Sequence, residues 1–151
     1  MDSFLRNFPD QVALAKVMDY GVFLAIVAVI FSLLAFRGNY ILAPPYAVSA
    51  YIMVFQRKAK NASRINIFIT YAVVILSSDL LHLLVGSNLG SMLANVVIVS
   101  AFITFTKFTH PPAIALTIFS YIAGDPLDFT ISSVLALIAL MSASFIMEKY
   151  G

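Results

Sequence analysis

The chain has 151 residues, 62% of them hydrophobic and 11% charged, where a typical globular domain carries about a quarter charged. Nine Lys and Arg with seven Asp and Glu cannot furnish the polar shell of a small water-soluble domain, and the mean hydropathy of +0.98 agrees. Soluble enzyme, disordered tail and nucleic-acid binder are therefore poor readings, and the absence of Cys removes disulfide scaffolds and thiolate metal sites. The composition is that of an all-α integral membrane protein with no expected cofactor and no metal site. A net charge of +2 from so few groups says little about acidic partners.

Residues 1–19, with Pro9-Asp10 opening a helix, read as an interfacial segment whose Phe4, Leu5, Phe8, Val12 and Val17 rest among lipid headgroups. The rest, 20–151, reads as one transmembrane domain. A cleaved signal peptide is not expected, since no small-residue cleavage site follows Phe36. Six uncharged or nearly uncharged stretches follow. They run over 20–36, 38–56, 65–86, 91–106, 108–124 and 129–147. Spanning a hydrocarbon core of about 30 Å takes about 20 helical residues, so the first, third, fourth and sixth are rather short spanning helices.

The second and fifth contain Pro44-Pro45 and Pro111-Pro112. Proline costs a backbone bond inside a helix but suits the first helical turn, so each pair marks a helix start. The helices that follow, Pro44 to about Gln56 and Pro111 to about Ala123, have thirteen residues each. That is roughly 20 Å, too short for a bilayer; these are half-helices. Gly124-Asp125-Pro126-Leu127-Asp128 reads as a turn with Asp128 capping the last helix.

The order long helix, Pro-Pro half-helix, long helix occurs twice, over about 20–86 and about 91–147, at an offset of 67 residues between the Pro-Pro pairs. Identity beyond Pro-Pro is negligible. If both half-helices carry the chain across the membrane, eight of the nine positive charges share a side and only Arg37 faces the other. If both are re-entrant, the division is six against three. The positive-inside rule selects the crossing arrangement, with both termini cytoplasmic in a multi-pass cell-membrane protein. Three crossings per copy then place the copies in opposite orientations. Inverted repeats with discontinuous helices are a transporter architecture with the substrate held near the midplane.

His110-Pro111-Pro112, set in Thr106-Lys107-Phe108-Thr109-His110-Pro111-Pro112-Ala113, resembles the signature of the HPP family of small integral membrane proteins. The resemblance in hydropathy and segment order covers about 20–147. Family members commonly carry small residues after the motif, where this chain has Ala113-Ile114-Ala115-Leu116, and the first copy has Ala43-Pro44-Pro45 without a His. Family members have been linked to nitrite uptake, so the resemblance implies an anion transporter without fixing the anion.

Two half-helix N-termini meeting near the bilayer centre would offer unpaired N–H groups and positive dipole ends to an anion. The substrate site is expected at Ala43, Pro44, Pro45 and Tyr46 of the first copy and His110, Pro111, Pro112 and Ala113 of the second. The other reading is that the Pro-Pro pairs only end loops buried in protein. His110 either donates to the anion and carries a co-transported proton, or caps its half-helix and bonds local carbonyls. Asp79 and His82, at i and i+3 of the third stretch, share a helix face. They read with His110 as a proton relay, or as structural contacts to Asn95 or Ser78. Asn61-Ala62-Ser63 fits a glycosylation sequon but falls in the basic loop expected inside.

The leading expectation is a transporter or channel for a small inorganic anion, nitrite favoured by the resemblance, with lipid and protons as the other partners and a homo-oligomer as the assembly. Its rivals are an intramembrane enzyme using Asp79, His82 and His110, and a structural membrane subunit.

Overall fold

The computed structural model describes residues 16–25, 28–29 and 44–150. Most of the interfacial segment, Ala43 and Arg37 therefore lie outside the described residues. Every regular element among the described residues is helical. Residues 16–25 form α1. It is followed by α2 (Pro44–Phe55), a 3-10 turn (Lys60–Ala62), α3 (Arg64–Leu84), α4 (Leu89–Phe105), α5 (Pro112–Ile122) and α6 (Pro126–Tyr150).

The helix ends follow local chemistry. At the end of α3, Gly86 adopts a φ of 87° and its N–H bonds the carbonyls of Leu81 and His82 at 3.2 and 3.1 Å. Glycine takes this left-handed conformation without a Cβ clash, which stops the helix. Asn88 caps α4, its side chain accepting from the Ser91 N–H at 2.9 Å. Residues 106–110 between α4 and α5 are non-helical, and the backbone enters the α region at Pro111, with φ −54° and ψ −34°.

Both short helices start at the proline pairs. They have 12 and 11 residues rather than thirteen each, because α2 ends at Phe55 and Pro111 is the N-cap of α5 rather than its first residue. The last helix is longer than expected, at 25 residues. Its cap is Asp125 and not Asp128. Pro126 occupies the first helical position, where a missing N–H costs nothing. That moves the start upstream and leaves Asp125 to accept from the N–H groups of Leu127 and Asp128 at 2.8 and 3.5 Å.

Cross-contacts fix the direction of every helix. Asp19 at the start of α1 lies 3.7 Å from Arg57 just beyond α2. Arg64 opening α3 pairs with Glu148 near the end of α6. At the opposite end, Tyr121 of α5 stacks on His82 of α3 with ring centroids 4.3 Å apart, and its hydroxyl bonds Ser91 of α4 at 2.9 Å. Direction thus reverses at each successive described helix.

Charge is sorted by this alternation. All seven described Lys and Arg, namely Lys16, Arg57, Lys58, Lys60, Arg64, Lys107 and Lys149, gather at one end. Asp125 and Asp128 mark the other end. Polarity is inverted from centre to rim. Leu83 and Phe105 are 81% and 86% exposed, whereas Ser49, Thr70, Ser78, Asn95, His110 and Thr117 are fully buried. Two of the described helices, α3 and the first 21 residues of α6, are long and apolar enough to cross a membrane.

Candidate functional site

The two short helices meet inside the bundle. Ser49 lies one turn after Pro45 on α2, and its hydroxyl bonds the Pro45 carbonyl at 2.9 Å. Tyr71 of α3 donates to the same carbonyl at 3.0 Å and also contacts the Ser49 hydroxyl. His110, two residues before α5, reaches Ser49 Oγ with Nε2 at 2.7 Å. Its Nδ1 lies 2.9 Å from the Asn61 carbonyl in the basic loop. The imidazole edge also packs against the Tyr71 ring, 5.2 Å between centroids. One histidine thus ties the second short helix to the first, and both to the basic loop.

The depth of this cluster follows from helical rise. Ser49 is six residues before the end of α2 and Tyr71 seven after the start of α3, so His110 lies about 10 Å in from the basic end of a helix about 31 Å long. The first turn of α2 begins deeper, about 16 Å from that end. The short-helix N-termini therefore adjoin in the interior, with His110 nearer the basic end than a midplane position.

The donor set differs from the one expected of bare helix termini. Pro111 and Pro112 have no N–H. Ala113 and Ile114 donate to the carbonyls of His110 and Pro111 at 3.1 and 3.0 Å. Donors in this cluster come from side chains instead. Nor does the His110 ring cap α5: no side chain fills that role, and the ring's carbonyl partner is 49 residues away.

A carbonyl only accepts, so Nδ1 of His110 carries a proton toward Asn61. In the neutral ring Nε2 must then accept from Ser49, and Tyr71 alone donates to Pro45. In the protonated ring both nitrogens donate, and the Ser49 proton turns to the Pro45 carbonyl. The cluster has a satisfied hydrogen-bond pattern for each protonation state. Ser49 is the element that switches between them.

Around it, Pro45, Tyr46 and Ala113 are buried, Pro112 is half-buried, and Pro44 and Pro111 are exposed. Tyr46 packs on Tyr71 at 5.1 Å and its hydroxyl reaches the Ser133 carbonyl at 3.4 Å.

Asp79 and His82 form no unit with His110. Along α3, His82 is 11 residues beyond Tyr71, about 16 Å from the His110 contact. Asp79 accepts from Thr130 of α6 at 2.5 Å, not from Ser78 or Asn95. Those two bond each other at 3.0 Å, and Ser120 donates to Ser78 at 3.0 Å. Both ring nitrogens of His82 and Oδ1 of Asn95 are buried without a partner among the described residues. No group of three His, Asp or Glu that could hold a metal occurs among the described residues.

Sequence reasoning missed Ser49, Tyr71 and the Asn61 carbonyl. Ser49 carried a faint signal, as a hydroxyl one turn into an otherwise apolar short helix. Comparison with protein-family models, characterised proteins and solved structures gave no match.

Proposed function

We propose that this chain is a polytopic membrane protein of two inverted repeats that moves a small inorganic anion, with His110, Ser49 and Tyr71 at the transport site. The observation that carries this reading is the His110–Ser49 bond, which joins two proline-started short helices inside the bundle. The apolar rim and buried polar centre suit a lipid surround. The gathering of cations at one end suits a cytoplasmic face there. Opposed directions of α1–α2–α3 and α4–α5–α6 suit an inverted repeat.

The anion would take its hydrogen bonds from the imidazole and the two hydroxyls, with the short-helix dipoles adding positive potential. His110 holds two bonding patterns, so it is the candidate proton carrier. Passage requires the Nε2–Ser49 bond to open. Nitrite is the first anion to test, by the resemblance of His110-Pro111-Pro112 to the HPP family. Six short crossings make a thin shell, which favours a homo-oligomer.

The test is uptake of nitrite, nitrate, bicarbonate and formate into proteoliposomes, with and without a pH gradient. Selective flux above protein-free vesicles supports transport. The close packing of the cluster favours a second reading, a structural membrane subunit, and flux at the protein-free level for all four anions would establish that reading instead.

A further inference from the structure

At the basic end, Arg57, Lys60 and Lys107 converge on one cleft of about 410 Å³, with Ser63, Ile65 and Phe108 completing its wall. No carboxylate lines it among the described residues. Arg57 is partly offset by Asp19 at 3.7 Å. Lys107 lies over the Phe108 ring at 5.4 Å, and neither Lys60 nor Lys107 has a carboxylate partner among the described residues. A neighbouring cavity, by contrast, has a carboxylate in its wall, Glu148, which pairs with Arg64 there.

The wall also identifies what kind of anion fits. Ile65 is 63% exposed, and Phe68, one turn further from the basic end, is 51% exposed. The charged cleft therefore continues directly into an apolar surface facing outward from the bundle. A soluble phosphate would use only the first part. A phospholipid uses both, its phosphate among the lysines and its acyl chain along Ile65 and Phe68.

We infer that this cleft binds the headgroup of an anionic phospholipid from the leaflet at the basic end. Basic pockets at this position recognise such headgroups by charge and hydrogen bonding. The inference rests on the membrane part of the proposed function and is independent of transport. The loop is held in place without the lysine side chains, since Asn66 Nδ2 bonds the Lys60 carbonyl at 2.7 Å.

The full chain, purified in neutral detergent, is titrated with phosphatidylglycerol, with phosphatidylcholine and with inorganic phosphate while its thermal midpoint is followed. Phosphatidylglycerol should raise the midpoint saturably, and the other two should not. Lys60→Gln with Lys107→Gln should raise the half-saturating amount at least about tenfold, given the attraction each lysine supplies at an anionic surface. Their lipid-free midpoint should be unchanged, because both side chains are exposed. Lys58→Gln, in the same loop but outside the cleft, should change the half-saturating amount less than twofold. Equal weakening by Lys58→Gln, equal stabilisation by phosphatidylcholine, or stabilisation by phosphate alone would each overturn the inference. Recovery of the chain without detergent from the soluble fraction would instead sink the membrane reading itself.

Discussion

Among the described residues His110 has no carboxylate partner to hold its proton; its partners are a carbonyl and a hydroxyl. Removing the hydroxyl isolates the imidazole. Ser49→Ala should lower stability by about 1–3 kcal/mol, the cost of leaving a buried polar group unpaired. Tyr71→Phe should cost less, since the Pro45 carbonyl keeps its backbone partner one turn on in α2. Melting of the two variants in detergent would rank them, and a larger loss for Tyr71→Phe would contradict the shared-acceptor geometry. For transport, His110→Ala should lower anion flux and flatten its pH dependence, whereas His82→Ala, placed about 16 Å away along α3, should have the smaller effect. Wild-type flux with an unchanged pH profile in His110→Ala would reduce the residue to a pin between helices. At this scale the sequence was only partly legible. His110 stood out because it precedes two prolines. Ser49 and Tyr71 did not, because their contacts with it span 61 and 39 positions. The Asn61 partner is a main-chain carbonyl, which residue identity does not announce.

Proline made the two short helices readable before any coordinate was known, because its missing N–H leaves few places for it to sit. The same rule explains where the reading slipped. The sequence around Pro126 reads as a turn, yet a proline preceded by Asp is itself a helix start. Asp125 is consequently the group to test. Asp125→Ala should destabilise by about 1 kcal/mol through loss of the cap. Asp128→Ala should cost less, since its carboxylate offers only a charge near the helix N-terminus. Thermal midpoints of the two variants check the order, and a larger effect at Asp128 would return the cap to it. The donor count at α5 belongs to this scale as well. A proline pair removes two of the four N–H groups that make a helix end attractive to anions. The motif that marks the short helices therefore also halves the donors at their N-termini, and at α5 the next two, on Ala113 and Ile114, are already bonded to the His110 and Pro111 carbonyls. Any anion there must rely on side chains.

Across the whole molecule, seven cations at one end follow from a charge pattern that the sequence displays openly. That pattern needs no tertiary information, only the number of reversals between charged loops. The arrangement of cavities and the contacts between non-adjacent helices do need it, and they were not readable. The proposed orientation puts the 57–63 loop in the cytoplasm and the 85–88 turn outside. Because the chain has no Cys, single-cysteine labelling reads this directly. Ala62 is a poor probe, being buried in its 3-10 turn. Lys58 and Ser87 are exposed and lie at opposite ends of α3. A membrane-impermeant maleimide should label Ser87→Cys in intact cells and Lys58→Cys only after permeabilisation. The reverse pattern would invert the protein in the membrane and place the lysine cleft outside. Labelling of both sites in intact cells would mean that α3 does not cross.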